Sequence, residues 1–260
     1  MAARSLRQYR AREQAVTRGE SIIELERLLQ SQGFGSRKFC RKLIEAGAVE
    51  IGGEVRDRPR EDIDPTGLHF TIDGEPWEYR EHVYVLLHKP PGFECSTSPT
   101  HHEGVHALLP LPLVVRGVQP AGRLDHDTTG MLLLSDDGPF LHAMMSPRRH
   151  VPKHYVATTK HPVTDAMLDA LRTGVLLRDE TEPLAAQDAA SPAECRIAMT
   201  IAQGKYHQVK RMIAAAGNRV EALHRDGIGG LALGDLAEGE WRYLTADDLA
   251  ALPYSAAGEK

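Results

Sequence analysis

The residue types able to do chemistry gather where a polar loop meets an apolar run. Gly122 to Gly138 reads Gly-Arg-Leu-Asp-His-Asp-Thr-Thr-Gly-Met-Leu-Leu-Leu-Ser-Asp-Asp-Gly. Met131 to Leu134 is too short for a helix and is closed by turn residues, so it predicts a buried strand. A loop braced by such a strand makes Asp125 a candidate nucleophile or general base. In isolation an Asp here would only cap or solvate a turn. Asp127 follows one residue on, and paired carboxylates about 5 to 9.5 Å apart are glycosidase machinery, which sets a competing chemistry. Further along, the Val209, Met212, Ile213 and Ala216 side of a predicted helix leaves His207, Gln208, Lys210 and Arg211 off its apolar face. Basic residues beside a helix start run against the helix dipole, so an acidic partner has to be sought elsewhere.

Other clusters carry less. His101, His102 and His106 have no Cys or carboxylate at ligand spacing and predict a polar loop, with no metal site. His224-Arg225-Asp226 lacks the Asn and the glycine-rich loop of a kinase. No phosphate-binding or dinucleotide-binding glycine motif is present, and no cofactor is expected.

These residues need elements to hold them. Val83 to Leu87 predicts a strand that delivers Lys89-Pro90-Pro91-Gly92 as a rigid turn bracing the Asp125 loop. Asp137 and Pro139 are placed as cap and first-turn residue of a helix through Met145. Lys153 to Thr159 predicts a strand with Tyr155 and Ala157 on one face. Thr164 caps a helix that Gly174 ends, Cys195 to Ile201 is a half-buried strand, and Val220 to Arg225 is another. Thr245 to Asp248 opens a last short helix with a capping box. Nearer the start, Ile22 to Gln32 and Arg37 to Ala46 predict two helices, with Ser36 as N-cap of the second. The second helix turns Arg37, Lys38, Arg41 and Lys42 outward, and a hairpin follows around Gly52-Gly53. Asp73 to Glu81, rich in acidic residues, reads as a linker.

The 260 residues suit one large domain or one plus a small module. The net charge of -5 argues against a globally basic nucleic-acid binder, but residues 1–60 hold 13 Lys+Arg against 8 Asp+Glu. Positive charge is thus concentrated in the first quarter, where RNA docking would use it. Three scattered cysteines argue against a disulfide framework and for a reducing, cytoplasmic setting. No apolar run reaches the roughly 20 residues of a membrane span. The first 20 residues lack a signal segment and predict a disordered basic arm, and 255–260 a frayed tail.

Gly122-Arg123-Leu124-Asp125, followed by Thr128-x-Gly130 and a leucine run, resembles the central motif of the RNA pseudouridine synthases, in the branch represented by RsuA. The resemblance recurs in order at Lys89-Pro90-Pro91-Gly92, Lys153-His154-Tyr155-Val156, Gly204 to Met212 and Leu223-His224-Arg225, and spans about residues 20 to 254. It implies an α+β protein: an S4-like RNA-binding domain over 21–72, a linker over 73–81, and a catalytic domain over 82–254 with a mixed, mainly antiparallel sheet and flanking helices. It implies isomerisation of uridine to pseudouridine in ribosomal RNA, most closely small-subunit 16S RNA of the uridine-516 type, with a monomeric enzyme acting on that RNA or on an assembly intermediate. A large-subunit 23S target and a non-catalytic ribosome-assembly protein are the alternatives.

By the same resemblance Asp125, Tyr155 and Lys210 are catalytic. Asp125 attacks C1′ or takes the 2′ proton, Lys210 pairs with it, and Tyr155 stacks on the uracil. Arg123 fills the space of the flipped nucleotide and Leu223 packs on its base. Arg225, His207, Gln208 and Arg211 join in substrate binding, while Ser36, Arg37, Lys38, Arg41 and Lys42 form the RNA contact of the S4-like domain. The family usually has a basic or bulky residue where this chain has Gly227.

Overall fold

A computed structural model describes residues 22–96 and 98–254, so the expected arm and tail lie outside the described residues. The chain divides into two compact units, Met1–Glu81 with Pro110–Gly117, and His82–Leu109 with Val118–Lys260.

In the first unit helices α1 (Leu25–Ser31) and α2 (Arg37–Glu45) pack on a small antiparallel sheet. Its strands are β1 (Val49–Ile51), β2 (Glu54–Val55), β3 (His69–Ile72) and β4 (Glu75–Glu78), in the order β2-β1-β3-β4. Leu25, Leu28 and Leu29 of α1, Cys40 and Ile44 of α2, and Val49, Phe70 and Ile72 of the sheet form one buried cluster. Two expectations change. The first helix begins at Leu25, because Ile23–Glu24 is a strand paired with Asp62–Ile63. The stretch 73–81, expected as a linker, contains β4, which pairs along β3 while Trp77 packs edge-on against Phe34 at 5.0 Å.

The basic face of α2 is not four free cations. Glu26 is fully buried, and Arg37 Nε and Arg41 Nε donate to its two oxygens at 2.7 and 2.8 Å. The Arg41 bond, opposed by burial and helped by Arg37, holds the Glu26 carboxyl down at about 2. Lys38 and Lys42 are exposed. Ser36 accepts from the Phe39 N–H and so is occupied as the helix cap.

The second unit is built on a nine-stranded sheet whose main path is β8-β9-β7-β10-β6-β5-β11. In chain order these are β5 (Tyr84–Lys89), β6 (Thr129–Ser135), β7 (Lys153–Thr159), β8 (Asp188–Ala193), β9 (Arg196–Ile201), β10 (Val220–Ile228) and β11 (Trp241–Tyr243). Within this sheet every pairing among the described residues is antiparallel except that of β6 with β10. The fold is therefore α+β with a mixed, mainly antiparallel sheet, as the family resemblance implies. Leu86, Met131 and Leu133 on one sheet face bury against Phe140, Ala143 and Met144 of helix α3 (Gly138–Met145). Alternation puts Leu132 and Leu134 on the opposite face, also fully buried, which explains the unbroken apolar run.

Helix α4 (Asp165–Thr173) is capped by Thr164 and ended by Gly174, and α5 (Gln208–Ala215) runs into β10. Asp137 is the N-cap residue of α3 with Pro139 in its first turn, as expected, and its side chain accepts from the hydroxyls of Tyr84 and Tyr254, tying Tyr254 to β5. Among the described residues no helix is long and apolar enough to cross a membrane.

Candidate active site

The loop 122–128 enters β6 at a tight place. Gly130 pairs with Arg225 of β10 at φ +105°, and a Cβ there would stand 2.2 Å from the Arg225 carbonyl oxygen. Only glycine tolerates both, which gives the Thr-x-Gly spacing its physical reason. Two contacts from the Lys-Pro-Pro-Gly turn hold the loop from beneath. Gly92 N–H donates to the His126 carbonyl at 2.7 Å. The fully buried Lys89 ammonium donates to the carbonyls of Pro90, His126 and Thr128 at 2.9, 3.1 and 2.9 Å. Burial lowers its pKa, against the pull of nearby groups that include Asp127 and Asp125.

So held, the loop alternates: Arg123 is exposed, Leu124 buried, Asp125 half-buried. Each oxygen of Asp125 faces a nitrogen contributed by the turn into α5. His207 Nε2 lies 3.1 Å from Oδ1, and Lys210 Nζ 3.1 Å from Oδ2. Lys210 is shared, because Nζ also donates to both oxygens of Asp127 at 2.7 and 2.9 Å. Burial works against the charge on both partners of that second pair. Their mutual contact outweighs it, raising the pKa of Lys210 with help from Asp125 and lowering that of Asp127. His207 and Lys210 at the start of α5 thus have their acidic partners in the loop before β6.

Tyr155 pairs across β7 and β10 with Arg225 and is buried. Arg225 is buried too. Its Nε donates to the Met131 carbonyl at 2.8 Å and its Nη1 to the Tyr155 hydroxyl at 3.3 Å. It therefore joins three central strands and donates to the Tyr155 hydroxyl, while its Nη2 is buried with no hydrogen-bond partner among the described residues. Leu223 is 7% exposed on the same strand. Gln208, expected among substrate-binding residues, is buried and instead accepts from the Lys205 N–H and donates to Met212 Sδ. Arg211 pairs with Asp179 at 3.0 Å and donates to the Tyr206 carbonyl. Gly227 stands where an added Cβ would meet the His154 ring at 3.0 Å, so in this chain His154 takes up that space. Among the described residues no three His, Cys, Asp or Glu side chains converge as metal ligands, and His102 stacks on His126 of the loop at 4.6 Å.

The Asp125 loop, the Lys89 brace, Tyr155 and the first residues of α5 all lie in residues 83–215, which match the RNA pseudouridylate synthase family model. The chain belongs to the RNA pseudouridine synthase family. Residues 25–66 match the S4 domain. The chain is 39% identical over 241 residues to ribosomal small subunit pseudouridine synthase A of Yersinia pestis, covering 88% of this chain and 98% of that one. The protein of the same name from Escherichia coli is 37% identical, with 88% and 100% covered. An uncharacterized RNA pseudouridine synthase of Bacillus subtilis is 38% identical, with 87% and 97% covered. A crystal structure of a pseudouridylate synthase superposes with a TM-score of 0.61 at 35% identity, covering 87% of this chain and 97% of that chain. This pseudouridine synthase is thus an isomerase joined to an S4 domain. The glycosidase reading falls with the family, whose model covers both carboxylates.

Proposed function

We propose that the protein converts a uridine of small-subunit 16S ribosomal RNA, of the uridine-516 type, to pseudouridine, with Asp125 as the catalytic carboxylate. The supporting observation is the placement of Asp125 between His207 and Lys210. One nitrogen faces each oxygen, which fixes the carboxylate's position beside a bound base.

The reaction breaks the C1′–N1 bond, turns the uracil and joins C1′ to C5, whose proton leaves to solvent while N1 takes one up. Attack of Asp125 on C1′ and removal of the 2′ proton both begin from the charged carboxylate. The glycosidic bond is out of reach in stacked RNA, so the nucleotide is flipped out, and exposed Arg123 fills its place. Tyr155, locked by Arg225, stacks on the uracil with Leu223 beside it. Lys38 and Lys42, with the outer parts of Arg37 and Arg41, hold flanking phosphates. The enzyme acts as a cytoplasmic monomer, a setting consistent with three free cysteines. The small-subunit target follows the names of the relatives from Yersinia pestis and Escherichia coli.

Release of tritium from C5-labelled uridine in 16S and 23S transcripts tests this. Wild type releases label from 16S RNA only, and Asp125→Asn releases none. Full activity in Asp125→Asn would remove the catalytic assignment, and preference for 23S RNA would move the target.

A further inference from the structure

The turn that supplies His207 to Asp125 also carries Tyr206, whose side chain no step of the reaction uses. Tyr206 is 71% exposed, yet it is not loose. One face of its ring stacks on the His207 imidazole, 3.8 Å between centroids and 21° between planes. The edge of that imidazole meets Asp125, whose Oδ1 lies 3.1 Å from Nε2. An aromatic ring thus stands one imidazole away from the catalytic carboxylate, open to solvent.

The turn beneath it is held at successive residues. Lys205 pairs with Glu180, and its N–H donates to the side chain of buried Gln208 at 3.0 Å. Gln208 N–H returns a bond to the Lys205 carbonyl at 3.1 Å. Arg211, anchored on Asp179, donates to the Tyr206 carbonyl at 3.2 Å. His207 itself adopts a left-handed backbone, φ +48°. A non-glycine residue keeps that conformation only where its surroundings over-determine it. A rigid, solvent-facing aromatic on a charged surface has the form of a base-stacking platform rather than of an apolar protein contact.

We propose that Tyr206, backed by His207, is the stacking shelf for the base adjacent to the isomerised uridine. The inference rests on the reading of Asp125 as the site of uridine isomerisation. Flipping the uridine leaves its neighbour without a stacking partner, and the Tyr206 ring replaces it. Because every base has a π-face, the shelf positions the RNA without reading its sequence, and purines, which stack more broadly, are held best.

The test uses the full-length protein and a short RNA containing the modified uridine, made with and without an abasic residue immediately 5′ or 3′ to it. Tyr206→Ala raises KM roughly tenfold to a hundredfold, the effect of losing one base–aromatic stack, while kcat moves far less. Tyr206→Phe, which keeps the ring, restores the wild-type KM. The abasic residue on one of the two sides raises the wild-type KM by a similar factor and adds nothing in Tyr206→Ala. A wild-type KM in a folded Tyr206→Ala protein, or losses that multiply at both positions, overturns the shelf. A second readout is independent of turnover: 2-aminopurine at the shelf position is quenched on binding to Asp125→Asn, and not on binding to Asp125→Asn with Tyr206→Ala. Equal quenching by both also overturns it. Absence of tritium release by the wild type, with quenching retained, strikes instead at the reading of Asp125.

Discussion

Lys89 and Thr128 are joined by a buried 2.9 Å hydrogen bond from an ammonium to a backbone carbonyl, and the same ammonium holds the carbonyl of His126. The loop between Asp125 and the central strand is therefore fixed by a charge placed behind it. Lys89→Met leaves these carbonyls without their donor. We expect the unfolding free energy to fall by about 1–3 kcal/mol, the cost of unsatisfied buried polar groups. We expect kcat to fall roughly 100-fold, as a small displacement of a reacting group does. Denaturant unfolding and tritium release measure the two effects. A variant with an intact rate would show that the loop holds its shape without the lysine.

The sharing of Lys210 between two carboxylates separates their roles. Lys210→Met removes the ammonium from Asp125 and is expected to abolish turnover while the far-ultraviolet circular dichroism stays that of the wild type. Asp127 is half exposed, and an exposed ion pair contributes about 0–1 kcal/mol. Asp127→Asn is therefore expected to stay within about fivefold of the wild-type rate. Equal inactivity of the two variants would place Asp127 in the chemistry itself.

In the first unit, Glu26 gives a pH signature. Its carboxyl is held at about 2 when folded, below the ordinary value of 4.5. The folded state therefore binds this proton more weakly than the unfolded state. The stabilisation is complete above about pH 4.5 and is lost as pH falls toward 2. Thermal melts of wild type and Glu26→Gln from pH 7 to pH 2 should show a gap in Tm that closes over the lower part of that range. A gap constant with pH would mean that the amide replaces the carboxylate without electrostatic loss.

What the sequence shows and hides follows from how local each feature is. The strand after Asp125 is legible because four successive apolar residues between turns have few other readings. Thr164, Ser36 and Thr245 are legible as caps because a cap acts within three residues. The strand Glu75–Glu78 is hidden by its acidic composition, since its packing rests on Trp77 alone among polar neighbours. Glu26 looks like a surface residue until Arg37 and Arg41 are folded against it. Gln208 is placed at the substrate by resemblance alone, and its bonds to Lys205 within the turn it closes leave no mark in the sequence. The approach of His207 to Asp125 joins two loops 82 residues apart, and no local pattern marks it.

The parallel pairing of the strands that begin at Thr129 and Val220 has a consequence for how the enzyme comes into being. The carboxylate and the nitrogens that face it enter the sheet from the same end, but they are made far apart in time during translation. A nascent chain that has emerged only as far as Gly204 carries Asp125 without His207 or Lys210. The centre is completed only once the segment carrying His207 and Lys210 has followed, so a chain cut between Asp125 and that segment lacks the means to assemble it.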